Sequence, residues 1–451
     1  MSDEIRARIR AMMPAARDEL AELVAIRSVA DPRQFPPEEC AKAAEWVRGR
    51  FAELGFADAR LQRTPDGSDA VVGSRPATNA DADTPTVLLY AHYDVQPPLD
   101  ESAWRSPPFV LTDVEGRWAG RGAADCKGNI LMHLLALRAL QDQIPVHLKL
   151  VVEGSEEQGT GGLERFVEEN PDVLAADVIL VCDTGNAAVG RPAATVSLRG
   201  FANVVIRVEA LASEIHSGMF GGPAPDGLAA LVAALASLRD DAGSTTIDDL
   251  NHDATWGGEP YDPGQFRADA GVLDGVHLLG NGTVADELWS RPALTVLGID
   301  CPPVVGSSAS IVPRAAARLN LRVPPGVIAQ DAHDALVSHI RDHVPWGVRV
   351  SVETEAVGEP FLATTDGLAY RAFADAMRSA YGVEMTMLGQ GGSIPLCNVF
   401  ADTYPNAEII LMGVEEPLAL IHAPNESVDP SEIENLAVAE AIFLHSFAKG
   451  A

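Results

Sequence analysis

A chain of 451 residues with 47% hydrophobic content is long enough for one large domain or two ordinary ones. Its formal charge of −31 disfavours nucleic-acid backbones and anionic membranes as partners, and its apolar content excludes a disordered acidic protein. No run of about 18 apolar residues occurs, so no membrane span is expected.

Residues Met1–Arg10 mix acids and arginines and do not read as a secretory signal. The five cysteines (Cys40, Cys126, Cys182, Cys301, Cys397) are scattered, with no C-x-x-C pair, which suits reduced thiols and a cytoplasmic location. Apolar runs at 86–91, 146–152, 178–182 and 408–412 predict buried strands, and amphipathic stretches at 37–54, 127–142, 162–170, 367–381 and 431–447 predict helices. This alternation predicts an α/β fold, a central mixed sheet flanked by helices. The texture changes near Thr195. Half-exposed strands at 203–209 and 317–323 and helices at 227–239 and 329–343 predict an inserted α+β domain. The boundaries are 1–196 and 363–451 for the catalytic domain and 197–362 for the insert. Within it, 240–290 reads as loops and short strands.

Five motifs carry chemistry. His92 and Asp94 follow the first strand, and residues two apart in an extended segment face one side. An imidazole is a good metal ligand, and a neighbouring carboxylate can fix its tautomer. Asp125 stands in Gly120-Arg121-Gly122-Ala123-Ala124-Asp125-Cys126-Lys127-Gly128 just before a helix. It reads as an N-cap or as a carboxylate bridging two ions. Glu156 and Glu157 follow the strand 146–152; one can ligate metal while the other accepts a proton. Asp183 ends the next strand, and His422 lies in the loop after the last. Each alone has a plain reading as a turn or surface residue. Together they gather at strand carboxyl ends, where open α/β sheets bind ligands. Oxygen and nitrogen donors suit two divalent ions, Zn²⁺ first, with Mn²⁺ or Co²⁺ as alternatives.

These motifs, in this order, resemble metallopeptidase family 20, which includes carnosinase-like dipeptidases, aminoacylases and succinyl-diaminopimelate desuccinylases. The resemblance runs from Arg27-Ser28-Val29 to the C-terminal helix. It implies a zinc-peptidase-like catalytic domain with an inserted lid and dimerisation domain. His92 and Asp183 would bind one metal, Glu157 and His422 the other, with Asp125 bridging across a cis peptide bond to Cys126. Glu156 would be the general base, and Asp94 would orient His92. Glu214-Ile215-His216-Ser217-Gly218-Met219-Phe220-Gly221-Gly222 resembles the dipeptidase lid signature. His216 would then stabilise the oxyanion in the partner subunit of a homodimer. Arg322, Ser393 and Gly392 match contacts to the substrate carboxylate, and Ser310 matches a lid hydroxyl near the substrate. Where carnosinase-like members often carry an acid before Gly-Gly-Ser, this chain has Gln390. The expected reaction is amide hydrolysis of a small peptide-like substrate with a free C-terminal carboxylate. An N-acyl-amino-acid deacylase is the alternative, and a non-catalytic binding protein on the same fold is a remote one.

Overall fold

The computed structural model describes residues 2–447, which fall into two compact units. The first comprises the chain up to Val196, Ala363–Leu388 and the segment from Pro395 onward; the second comprises Ser197–Leu362 and Gly389–Ile394.

Unit 1 is built on a mixed sheet. Its strands run in the order Arg60–Arg63, Asp69–Arg75, His147–Glu153, Thr86–His92, Val178–Cys182, Glu408–Met412, Ala193–Leu198. The central four are mutually parallel, and the flanking pairings are antiparallel. Val178–Cys182 is buried along its whole length, as expected of a strand covered on both faces. Helices Ser2–Ala25, Lys127–Leu140, Leu368–Tyr381 and Pro430–Ser446 pack into the same core. Lys127–Leu140 is apolar almost all round and only Arg138 escapes burial, which is why a helix of low amphipathicity is stable here. Gly128 is required in its first turn, because a side chain there would collide with the Ala123 carbonyl.

Ser2–Ala25 is a helix that the sequence reading did not assign. Ile5, Ile9, Ala16, Leu20 and Leu23 form its buried stripe. The spacing is helical, but the charges between these residues dilute the pattern. Asp3 and Glu4 in its first turn complement the helix dipole.

Unit 2 is a four-stranded antiparallel sheet in the order Ala293–Asp300, Arg314–Val323, Gly200–Glu209, Arg349–Gly358. Gly200–Glu209 alternates buried and less buried residues, the mark of a sheet covered on one face. Helices Gly227–Ser237 and Ala329–His343 supply that cover through Leu231, Leu336 and Ile340. Asp226 caps the first helix by accepting the Leu228 and Ala229 amides. The stretch 240–290 holds a short helix, Pro263–Asp269, and a wide turn at Asp286–Ser290, where short strands were expected. Residues 389–394 also depart from the boundary drawn from sequence: they group with unit 2, where Gly389 lies against Trp289.

Among the described residues, no helix is long and apolar enough to cross a membrane.

Candidate active site

The parallel strands of unit 1 end side by side, so the residues that follow them converge. His92 ends its strand opposite Glu153, and Glu156–Glu157 begin the turn just beyond. Asp183 directly follows the strand Val178–Cys182. Asp125 sits on the turn before the helix Lys127–Leu140, joined to Cys126 by a cis peptide bond.

Asp125 divides its two oxygens between two histidines. His92 Nε2 lies 3.0 Å from Asp125 Oδ1 and 3.1 Å from Asp183 Oδ1. His422 Nε2 lies 2.9 Å from Asp125 Oδ2 and 3.1 Å from Glu157 Oε2. Two nests result, each of one imidazole and two carboxylates, sharing Asp125. Glu156 is held beside them, and its carboxylate makes no hydrogen bond to the described residues. Burial first, and then the charge of Asp183, pushes its pKa well above the ordinary glutamate range.

The surroundings fix these donors. His92 Nδ1 is 3.0 Å from the Asp94 carbonyl oxygen and 3.4 Å from the Asp94 carboxylate. Donation from Nδ1 leaves Nε2 bare toward the two aspartates. The Asp94 carboxylate itself accepts the amides of Glu156 (3.2 Å) and Glu157 (3.1 Å), so it orients the glutamate turn as well as the histidine. On the other side of that turn, Asp66 accepts the hydroxyls of Ser155 (2.7 Å) and Thr160 (2.6 Å). Gly159 and Gly161 both adopt positive φ between these anchors, a path a side chain would resist.

Three further residues were not singled out from sequence. Glu426, fully buried, accepts the amides of Gly122, Ala124 and Asp125 and pairs with Arg121 at 2.7 Å. It thereby fastens the loop bearing His422 to the loop bearing Asp125. Glu415 brings a buried carboxylate to Asp125 and Asp183, and its Oε1 has no partner. An acidic pair past an apolar strand marked Glu156–Glu157; the same signal stood at Glu415–Glu416. The third is Arg199 in unit 2. Its Nε and Nη1 are buried without a hydrogen-bond partner, and burial together with the charge of Arg322 lowers its pKa to about 10. Among the described residues, neither guanidinium meets a carboxylate. Gly391 lies against Arg199, and Ser393 follows on the same segment. Guanidiniums without a carboxylate partner suit an anion.

Also in unit 2, His216 is exposed, and its Nδ1 accepts the Gly218 amide at 3.1 Å. The neutral ring then carries its proton on Nε2, as a free donor. His216 pairs with Ser310 across a two-residue ribbon, and the Ser310 hydroxyl donates to Glu214 at 3.1 Å.

The unit 1 cluster fits a pair of divalent cations. Bare imidazole and carboxylate lone pairs face one another, an arrangement that repels itself unless positive charge stands between. The same field raises the His422 pKa to about 11, through Asp125 and then Glu157. Against the cost of burial, His422 and His92 hold Asp125 well below the usual carboxylate range. Nitrogen and oxygen donors of this kind, with an unligated carboxylate alongside, characterise the two-metal hydrolases.

Within that class the chain belongs to Peptidase family M20/M25/M40, whose sequence profile matches residues 88–446. It is 43% identical over 439 residues to the cysteinylglycine-S-conjugate dipeptidase of Corynebacterium striatum, covering 96% of this chain and 95% of that protein. The Beta-Ala-His dipeptidase of Homo sapiens is 28% identical over 437 residues, covering 90% and 83% respectively. The crystal structure of human carnosine dipeptidase 1 shares the fold, with a TM-score of 0.79, 24% identity and 99% of each chain covered.

Proposed function

We propose that this chain is a metal-dependent dipeptidase that hydrolyses the amide bond of small peptides with a free C-terminal carboxylate. The observation that carries this reading is the Asp125-centred pair of nests with an unengaged glutamate beside it. His92, Asp183 and Asp125 would hold one ion, and Asp125, Glu157 and His422 the other. Zinc suits these donors, with manganese and cobalt as substitutes. When bound, the ions supply Lewis acidity that lowers the pKa of water toward neutrality. Glu156 takes the proton from the attacking water and delivers it to the departing nitrogen. Asp94 holds the glutamate turn in place for that transfer. His216 donates its Nε2 proton to the developing oxyanion, and Ser310 lines the same lid segment. Arg322, the newly recognised Arg199, Ser393 and the Gly392 backbone receive the substrate carboxylate.

The second reading, an N-acyl-amino-acid deacylase, draws on Gln390. Its Oε1 is buried without a partner and can accept an N–H from either an amine or an acylated nitrogen. Assays of an Ala-Ala-type dipeptide, its C-terminal amide and an N-acetyl amino acid, with a chelated control, separate the readings. The dipeptide is expected to be hydrolysed fastest, and faster turnover of the N-acetyl compound would favour the deacylase. Arg322→Ala should raise KM for the dipeptide about 30-fold or more, the loss that follows truncation of one partner of a buried charge pair. The amide should be affected little; equal damage to both substrates would argue against a carboxylate grip.

The family 20 resemblance also suggests a homodimer. The edge strand Ala293–Asp300 pairs on one side only, and Val296, Leu297 and Ile299 are 40%, 54% and 45% exposed. Val304 and Val305, just beyond it, are 93% and 90% exposed. A second copy of this edge would cover that surface. His216 would then act in the partner's site. Mixing inactive His216→Ala and Glu156→Gln chains should restore about one quarter of wild-type activity, because random pairing rebuilds one site in half of the dimers. No recovery on mixing would place His216 in its own subunit's chemistry. The cysteines of the described chain are all free thiols, in keeping with a cytoplasmic location.

A further inference from the structure

Unit 2 carries a second set of metal-type donors, which the proposed reaction does not use. The helix Ala329–His343 sets His339 and His343 one turn apart on one face. Their rings stack with centroids 3.9 Å apart and planes 11° from parallel. Asp248 reaches them from the loop that follows Gly227–Ser237. Its Oδ2 lies 3.1 Å from His339 Nδ1 and 3.6 Å from His343 Nδ1. One donor atom from each residue falls within 4.8 Å of the other two. Two ligands on a tetrahedral ion at about 2.0–2.1 Å are roughly 3.4 Å apart, so the observed separations bracket that edge.

The three residues line an open cavity of about 550 Å³ together with His252 and Asp253.

We propose that Asp248, His339 and His343 form a divalent transition-metal site in unit 2. Two imidazoles and a carboxylate suit Zn²⁺ or Ni²⁺. The cluster also holds hydrogen bonds of its own. The Asp248 amide donates to His339 Nδ1 at 3.1 Å, and His343 Nδ1 donates to the His339 carbonyl at 2.9 Å. His339 Nε2 faces the Ser237 hydroxyl at 3.1 Å. An ion held through the two Nδ1 atoms exchanges the first two of these bonds for coordination, while the Ser237 contact stays. The affinity is therefore expected to be weaker than that of a preformed, vacant cage. Binding would tie the loop 247–253 to the end of the helix.

The test is a zinc titration of the full-length protein carrying its catalytic ions, with bound metal counted after equilibrium dialysis. Wild type should take up one more ion per chain than His343→Ala or Asp248→Asn. Both positions are exposed, so neither change threatens the core. Dipeptide hydrolysis at catalytic metal concentrations should be equal in all three. Hydrogen exchange at the amides of 249–253 should slow with zinc in wild type alone. Equal metal counts in wild type and both variants, or zinc-independent exchange in wild type, would overturn the proposal.

Discussion

Glu156→Gln is expected to lower kcat by about 10²–10⁴-fold, the usual contribution of a general base, while the metal content of the protein is unchanged. The reason is geometric. The neighbouring Glu157 carboxylate is committed to His422, whereas that of Glu156 hydrogen-bonds to none of the described residues. An amide side chain of the same shape keeps the backbone contacts to Asp94 and removes only the proton acceptor. Metal analysis alongside steady-state kinetics is the measurement. Activity within a few-fold of wild type would move the base role elsewhere. Glu415, a buried carboxylate with an unpartnered oxygen beside Asp125 and Asp183, would be the next candidate.

Asp125→Ala should remove both ions together. Each nest depends on one Asp125 oxygen, so its loss leaves His92 with Asp183 and His422 with Glu157, two donors apiece. Two donors are fewer than the three protein ligands that catalytic zinc sites use. Activity should fall to that of chelated wild type. His422→Ala provides the contrast, since it strips one nest and leaves the other whole. Elemental analysis after dialysis should give neither ion for the first variant and one for the second. Retention of one ion by Asp125→Ala would show that the two positions are filled independently.

Much of this centre could be read from the chain because strand periodicity announces where a parallel sheet ends. His92, Asp183 and the Glu156–Glu157 pair each stand within a few residues of such an end. Residues acting through tertiary contact were hidden. Glu426 looks like any loop acid until its oxygens are seen to collect three amides and an arginine. Arg199 lies between a buried strand and another strand, with no local sign that its guanidinium would go unpaired. The helix Ser2–Ala25 was missed because charges interrupt its stripe, and its stability comes from docking onto Lys127–Leu140 and Pro430–Ser446. The strands Ala293–Asp300 and Arg349–Gly358 escaped notice because exposure on their outer faces blurs the alternation.

The threading of the chain through unit 1 sets a rule for its biosynthesis. The strand Glu408–Met412 and the loop bearing His422 and Glu426 are made only after the whole insert has been synthesised. A nascent chain stalled inside the insert therefore lacks both the last imidazole and the carboxylate that steadies the Asp125 turn. Such a truncated product would be a poor metal chelator and unable to cut peptides, so the cell would meet this hydrolase only as a finished polypeptide.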